Sequence, residues 1–390
     1  MPDRHETPVT RYKLAFAVVK YFEFGGMQRS MLRIARECAR RGHDVHVFAG
    51  HFQGKRPAEV AVHVLRLRAL TNHGRYREFA QKLDSAVRHG AFDCVIGSVK
   101  IPGLDVYYGG DPCYVAKVDA NKGRIYKMLP RYQSLKRLEE AVFATDSGTD
   151  ILLIAHEERD KFINYYGTDP NRFHLLPPGI DRQRLIRQVL TVEVKSDLRR
   201  GLGLMSDDYM LLHVGSWFAR KGVDRAMIAL AALPEELRVK SKLVVVGDDK
   251  VKPFVRLARS LGIADRVCFR DATEDIARFY YAADLLIHPA YTENTGTTLI
   301  EAMVCGLPVL VTDNCGFAFH VRNARAGMVC PTPFQQDSLN KMLLEMLNSD
   351  RLSDWSRNAR NYCETTDLYS LIEKAADVIV ARAGKNRGNQ

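Results

Sequence analysis

The stretch from Asp284 to Val311 admits few folds. Asp284 to Ile287 is an apolar run with the length of a buried strand. His288 to Ala302 is a polar loop running into helical spacing that stops at Gly306, and Leu307 to Val311 resumes as a strand. Strand, loop, helix and strand in that order is one unit of an α/β sheet. The loop carries Glu293 and Glu301, eight residues apart, with Asn294, Thr295, Gly296 and Thr297 between them. Such a loop offers free backbone N–H groups and the positive end of a helix dipole, which suit a phosphate. Carboxylates repel a phosphate, so the two acids suit hydroxyl donors such as those of a ribose and a sugar. Thr298-Leu299-Ile300-Glu301 also fits a capping box, in which Glu301 only satisfies a backbone donor. On this loop alone, a nucleotide-sugar site and plain capping stand level.

At 390 residues, 46% of them hydrophobic, the chain is long enough for two domains with substantial cores. No apolar run reaches the roughly 18 residues of a membrane span, and Met1 to Thr10 is polar rather than signal-like. Residues 1–11 read as a flexible leader. The eight cysteines are scattered and never form C-x-x-C, which predicts free thiols in a reducing cytoplasm. A net charge of +11 calls for an anionic partner: a nucleotide, a nucleic acid or an acidic membrane.

The same alternation runs through both halves. Lys13 to Val19 is strand-like and leads to Gly25-Gly26; then Met27, Met31, Ile34, Ala35 and Cys38 fall at helical spacing before a strand over Val45 to Phe48. A Gly-Gly turn at the carboxyl end of a first strand lies where open α/β sheets bind ligands. GxGxxG is absent, which counts against a nicotinamide enzyme. Further strands are expected at Phe92 to Gly97, Val106 to Gly110, Ile151 to Ala155 and Phe173 onwards. Residues 181–207 are polar and charged and read as a linker. A second series starts at Met210 to Val214 and continues with Leu243 to Val246 and Val267 to Phe269.

Several polar positions sit in the connections. Asp111 follows a Gly-Gly pair, a place that holds a turn residue more often than a functional one. Thr71-Asn72-His73-Gly74-Arg75 reads as a loop that suits either a sugar or phosphate contact or a plain turn. In residues 114–143, Lys117, Lys122, Arg124, Lys127 and Arg131 interleave with Tyr126, Met128, Leu129 and Tyr132, with Pro130 dividing the segment. That mixture suits a helix on an anionic bilayer surface, or a helical hairpin with a solvated basic face. No nucleic-acid module accompanies the charge. After Met210 to Val214, Gly215 and Gly222 flank Arg220-Lys221. A planar guanidinium beside a flexible ammonium suits a diphosphate. Two phosphate-friendly elements in one half outweigh either alone.

Glu293 and Glu301 with seven residues between them, Gly215 with Arg220-Lys221-Gly222, the Gly25-Gly26 loop and Leu176-Pro177-Pro178-Gly179-Ile180 resemble glycosyltransferase family 4, of the GT-B fold. The likeness covers about residues 13–380 and is nearer still to the branch that adds the first outer-core hexose to lipopolysaccharide inner-core heptose. Tyr21 to Arg29, Thr71 to Arg75, Pro102 to Tyr107, Lys221 to Arg225, His288 to Tyr291 and Asp367 to Ser370 carry the nearer match.

The resemblance implies two doubly wound, Rossmann-like α/β domains with a cleft between them. Residues 1–180 would bind the acceptor, with 368–390 crossing back onto them, and 181–367 would bind the nucleotide sugar. Glu301 would meet the ribose, Glu293 the donor-sugar hydroxyls, and the backbone of Asn294, Thr295, Gly296 and Thr297 the sugar and distal phosphate. Arg220 and Lys221 would neutralise departing UDP, beside Gly215, and Gly25 and Gly26 would approach the diphosphate. Asp111 would help orient the reactants, and Asn72, His73, Arg75 and Lys100 would contact the acceptor. The reaction implied is retaining hexosyl transfer, glucose first, from a UDP-sugar co-substrate by a front-face route. No cofactor or metal is expected, and no nucleic-acid partner. Lys117, Lys122, Arg124, Lys127 and Arg131 would hold the enzyme on the cytoplasmic face of the anionic inner membrane. Ser30 and Val99 depart from the pattern, as does Arg270 to Thr273, which lacks a Gly-Arg pair expected near the base. A UDP-sugar epimerase of the same fold, or transfer of another hexose or an N-acetylhexosamine, is the alternative.

Overall fold

The computed structural model describes residues 10–22, 26–186 and 192–388. It divides into two compact units, Met1–Gly179 with Ser370–Gln390, and Ile180–Tyr369. Residues 1–9 of the expected leader lie outside the described residues, as does Gly25.

The first unit holds β1 (Lys13–Phe22), β2 (Asp44–Gln53), β3 (Ala61–Val64), β4 (Cys94–Gly97), β5 (Val106–Gly109), β6 (Asp150–Leu153) and β7 (Phe173–Leu175). They form one sheet in the order β3-β2-β1-β4-β5-β6-β7, with every pairing parallel. Parallel strands need crossovers that cover both faces, and β4 and β5 are buried at every position as that arrangement demands. The crossovers include α1 (Gly26–Arg40), α2 (Asn72–Gly90), α3 (Tyr114–Asn121), α4 (Pro130–Phe143) and α5 (Glu158–Tyr166). α1 buries Met31, Leu32, Ile34, Ala35 and Cys38, the stripe its helical spacing predicts. The closing helix, Leu371–Gly388, belongs to this unit and lies against α1. Arg41 pairs with Asp377 at 2.6 Å, and Arg382 with Asp150 at 3.3 Å.

The second unit holds β8 (Tyr209–Val214), β9 (Ser241–Val246), β10 (Val267–Arg270), β11 (Leu285–His288), β12 (Val309–Thr312) and β13 (Gly327–Cys330). Their order, β10-β9-β8-β11-β12-β13, is again wholly parallel. In each sheet the winding reverses between two neighbours, β1 and β4 in one and β8 and β11 in the other. Loops leaving such a pair at the carboxyl ends diverge and leave a crevice for a ligand. In the second unit those loops are 215–222 and 289–296, the two stretches with the strongest phosphate-binding character.

Residues 187–191 of the expected linker lie outside the described residues, and the rest of it carries two helices. Arg182–Ile186 and Val192–Gly201 are helical, and Arg199 is buried. Its guanidinium donates to Ala282 O at 2.8 Å and pairs with Asp284 at 2.9 Å. A charged composition signals exposure only while the charges are unpaired, and Arg199 is not. Among the described residues, no helix is long and apolar enough to cross a membrane.

Candidate active site

The turn after β8 is built tightly around two glycines. Gly215 has φ +124°, and a Cβ there would meet Lys221 Nζ at 2.6 Å, so the lysine side chain lies across it. Gly222 has φ +74°, and its Cβ would stand 2.1 Å from Pro289 O. Both positions need left-handed backbone and close approach, which only glycine supplies without strain. The turn is tied to the loop after β11 by Tyr291 N donating to Arg220 O at 2.9 Å and Arg220 Nη1 donating to Thr292 O at 3.2 Å.

This stitching brings three of the expected residues together. Glu293 Oε2 lies 3.4 Å from Arg220 Nη1 and 3.4 Å from Lys221 Nζ. Glu293 and Lys221 are mostly buried, with side chains 12% and 14% exposed, whereas Arg220 is 42% exposed. Among the described residues Oε2 accepts no hydrogen bond, so the two cations hold it at ion-pair distance only. Two cations against one carboxylate leave the cluster one positive charge in excess, in surroundings that screen it poorly. That excess suits a diphosphate.

The loop carrying Glu293 is pinned from β12's side. Glu293 N donates to Asn314 O at 3.1 Å, Gly316 N to Glu293 O at 2.9 Å and Phe317 N to Thr295 O at 2.7 Å. Gly296, at φ +100°, caps the helix Thr297–Val304 with no side-chain cap. The capping-box alternative therefore does not form: Thr298 lies inside the helix and is buried. Glu301 is bound differently, accepting a 2.8 Å hydrogen bond from the buried Tyr280 hydroxyl.

Beneath the cluster, His213 and His288 are fully buried and stack with centroids 5.2 Å apart. Burial, with the neighbouring Lys221 charge second, pushes His213 down to about 3 and His288 well below the usual imidazole value. Both are neutral at ordinary pH, leaving the charge to Arg220 and Lys221. Arg225 supports the same loop from behind. It is buried between the rings of Tyr291 and Phe334, at 3.5 and 3.6 Å, and donates to Pro289 O and Ala290 O. No spacing rule marks these residues, but Arg225 falls inside the quoted Lys221–Arg225 run and His288 opens the loop. In the loop after β10, Ala272 N donates to Asp248 at 2.9 Å.

The first unit gives a more mixed result. Gly26 opens α1, with open space where a Cβ would stand. Asp111 is exposed just beyond β5, and its charge adds to burial in raising the Tyr76 hydroxyl. Asn72, His73 and Arg75 do not form a loop: they are the first turn of α2, capped by Thr71, whose hydroxyl accepts from Gly74 N at 3.1 Å. Asn72 and Arg75 are exposed there, although Arg75 Nε is held by Ala69 O at 2.9 Å.

Lys100 departs from its expected place among acceptor contacts. Its ammonium turns inward to Pro112 O at 2.8 Å and the fully buried Glu139 at 2.5 Å, over the rings of Phe143 and Phe162. Glu139 also accepts from Tyr114 N, Val115 N and the Tyr166 hydroxyl. Lys100 is the counter-ion of a carboxylate that anchors the start of α3.

The basic segment splits into α3, a 3₁₀ turn over Arg124–Met128, and α4, which Pro130 opens as its first residue. Lys117, Lys122, Arg124 and Arg131 are exposed, and Lys127 pairs with Asp119 at 2.6 Å. Ile125 and Met128 stand 81% and 79% exposed among them.

Comparison with known proteins places this arrangement. The model for glycosyltransferase family 4 matches residues 24–184, and that for glycosyl transferases group 1 matches 194–362. The lipopolysaccharide glucosyltransferase WaaG of Escherichia coli K12 is 41% identical, over 94% of this chain and 98% of its own. A crystal structure of WaaG, a glycosyltransferase involved in lipopolysaccharide biosynthesis, superposes with a TM-score of 0.87 over 94% of this chain and 99% of that one. Anabaena Alr3699/HepE, solved with UDP and glucose, shares the fold at a TM-score of 0.73 and 18% identity, covering 95% and 100%. With a relative matched along nearly its whole length and both halves of the sequence recognised, the chain belongs to glycosyltransferase family 4 and has the GT-B fold.

Proposed function

We propose that the protein transfers a hexose, most simply glucose, from a UDP-sugar to a heptose of the lipopolysaccharide inner core, with retention of anomeric configuration. The observation that carries this reading is the 41% identity to a lipopolysaccharide glucosyltransferase along 94% of the chain. The Arg220, Lys221 and Glu293 cluster at the reversal of the second sheet supports it. In this reading, the second unit binds the donor and the first the acceptor.

Arg220 and Lys221 stabilise the charge that develops on the diphosphate as the bond from C1 to its oxygen breaks. Glu293 takes donor-sugar hydroxyls, Glu301 the ribose, and the backbone of residues 294–297 the sugar and distal phosphate. The acceptor oxygen bonds to C1 from the face that UDP leaves, and its proton passes to the departing phosphate oxygen. In this reading Asp111 orients the reactants, and Gly25 and Gly26 take the diphosphate. The exposed cations of residues 117–131 attract the protein to an anionic membrane surface, the cytoplasmic face of the inner membrane, where its acceptor is anchored.

The test is a panel of UDP-sugars against truncated core lipopolysaccharide, with products read by mass. A gain of one hexose, largest with UDP-glucose, is expected. Conversion of UDP-glucose alone to a free epimer would replace transfer with epimerisation.

A further inference from the structure

Trp217 is one of two tryptophans in the chain, and they differ sharply. Trp355 is buried at 3% exposure, whereas Trp217 is 70% exposed. Trp217 sits in the turn after β8, three residues before Arg220, and its backbone is left-handed at φ +66°. Bulky residues avoid that region, where glycine, asparagine and aspartate are the usual occupants. The turn nevertheless holds it there. Phe218, next in the chain, is fully buried and its N–H donates to Asp249 at 2.7 Å. Asp248 N donates to Ser216 Oγ at 3.2 Å, and Lys221 N to Trp217 O at 3.0 Å. A pinned turn thus leaves an indole exposed in the same short turn that carries the two cations, in a conformation that internal packing does not repay.

We propose that Trp217 is a sugar-stacking platform of the transfer site, its indole face taking the C–H face of a pyranose ring. The inference rests on the UDP-sugar reading of the Arg220–Lys221 cluster. A pyranose is the group next to the diphosphate in such a reaction, either as the donor sugar attached to it or as the acceptor sugar attacking beside it. One face of a pyranose presents polarised C–H groups while its rim is hydroxylated, and an exposed indole matches that face with apolar area and a negative ring quadrupole. One exposed indole in a polar turn is smaller than the contiguous apolar patch that protein docking requires.

The contrast between the two tryptophans supplies the probe. Emission from the exposed indole is identified by its loss in Trp217→Phe, and Trp355 remains as the internal standard. The full-length protein is titrated separately with UDP, UDP-glucose and truncated core lipopolysaccharide, alongside steady-state kinetics of wild type, Trp217→Ala and Trp217→Phe. A blue shift or quench of the Trp217 emission is expected with the sugar it stacks on, but not with UDP. A shift with UDP-glucose assigns the donor ring, and a shift with the core acceptor assigns the acceptor ring. Trp217→Ala raises the KM of that same substrate by about tenfold, and Trp217→Phe restores it to within about twofold. A shift produced by UDP alone would assign nucleobase stacking and overturn the proposal. Unchanged emission with both sugar-bearing ligands, or a wild-type KM in Trp217→Ala, would also overturn it while leaving hexosyl transfer intact. A wild-type protein that transfers no hexose would remove the underlying reading as well.

Discussion

Lys221 and Arg220 face the same carboxylate oxygen at the same 3.4 Å, but they are not equivalent. The lysine side chain is 14% exposed and the arginine 42%, so water screens the guanidinium more. Their contributions to a departing diphosphate should differ accordingly. Lys221→Ala is expected to lower kcat about 10²- to 10³-fold, the range seen when one preorganised electrostatic group is removed, and Arg220→Ala about tenfold. Steady-state kinetics at saturating donor separates the two; equal losses would mean that burial does not set their weight. The histidines below give a second residue-scale consequence. His213 and His288 are neutral when folded, with values far under the ordinary 6.5, and titrate normally once unfolded. Below about pH 6.5 the unfolded chain therefore binds more protons, so stability falls with falling pH, by about 1.4 kcal/mol per unit for each histidine. Above that pH neither contributes a slope. Urea unfolding of wild type and His213→Gln between pH 7 and 4.5 should show a shallower decline in the variant, and parallel curves would contradict the neutral state.

At the scale of elements, Lys100 and Glu139 bind four segments together. Glu139 in α4 holds the first amides of α3 and the hydroxyl of Tyr166 in α5, and Lys100, from the loop after β4, balances its charge. Removing one partner strands a buried charge. Lys100→Met should destabilise the protein by about 3–5 kcal/mol, whereas Lys100→Met with Glu139→Gln should recover a large part of that. Chemical denaturation of the single and double variants checks the coupling. A purely acceptor-binding Lys100 would instead change acceptor KM without affecting the melt. That pair also shows where sequence reasoning stops. The inner strands were legible because apolar runs suit a sheet covered on both faces, whereas the edge strands Ala61–Val64 and Gly327–Cys330, little buried, gave no such run. Arg220-Lys221 and Glu293 could be joined because glycines mark turns at the carboxyl ends of strands. Lys100–Glu139, Arg225 between two rings and the stacked histidines could not, since each joins residues 39 or more apart through contacts that leave no periodicity. The start of α2 was hidden for the opposite reason: its first turn is polar throughout, and only the Thr71 cap marks it as helix.

At the scale of the whole molecule, the question is where a net charge of +11 is concentrated and what it does. Lys117, Lys122, Arg124 and Arg131 are exposed within a single segment, beside Ile125 and Met128, which are also exposed. Lys127 belongs to the same stretch but is paired with Asp119, so much of its charge is already spent. Each unpaired cation near an anionic bilayer contributes about 1 kcal/mol, and that contribution fades as salt shortens the screening length. Neutralising those four residues should weaken partition onto vesicles containing anionic lipid on the order of a hundred- to a thousandfold at low salt, and Lys127→Gln alone much less. Ile125→Ser with Met128→Ser acts through apolar insertion, so its loss should persist at high salt, where the loss from the charge variant shrinks. Vesicle sedimentation across a salt series distinguishes the two components. If the four-residue variant binds anionic vesicles as the wild type does at low salt, the segment is a solvated basic face, and the acceptor rather than the lipid surface brings the enzyme to the membrane.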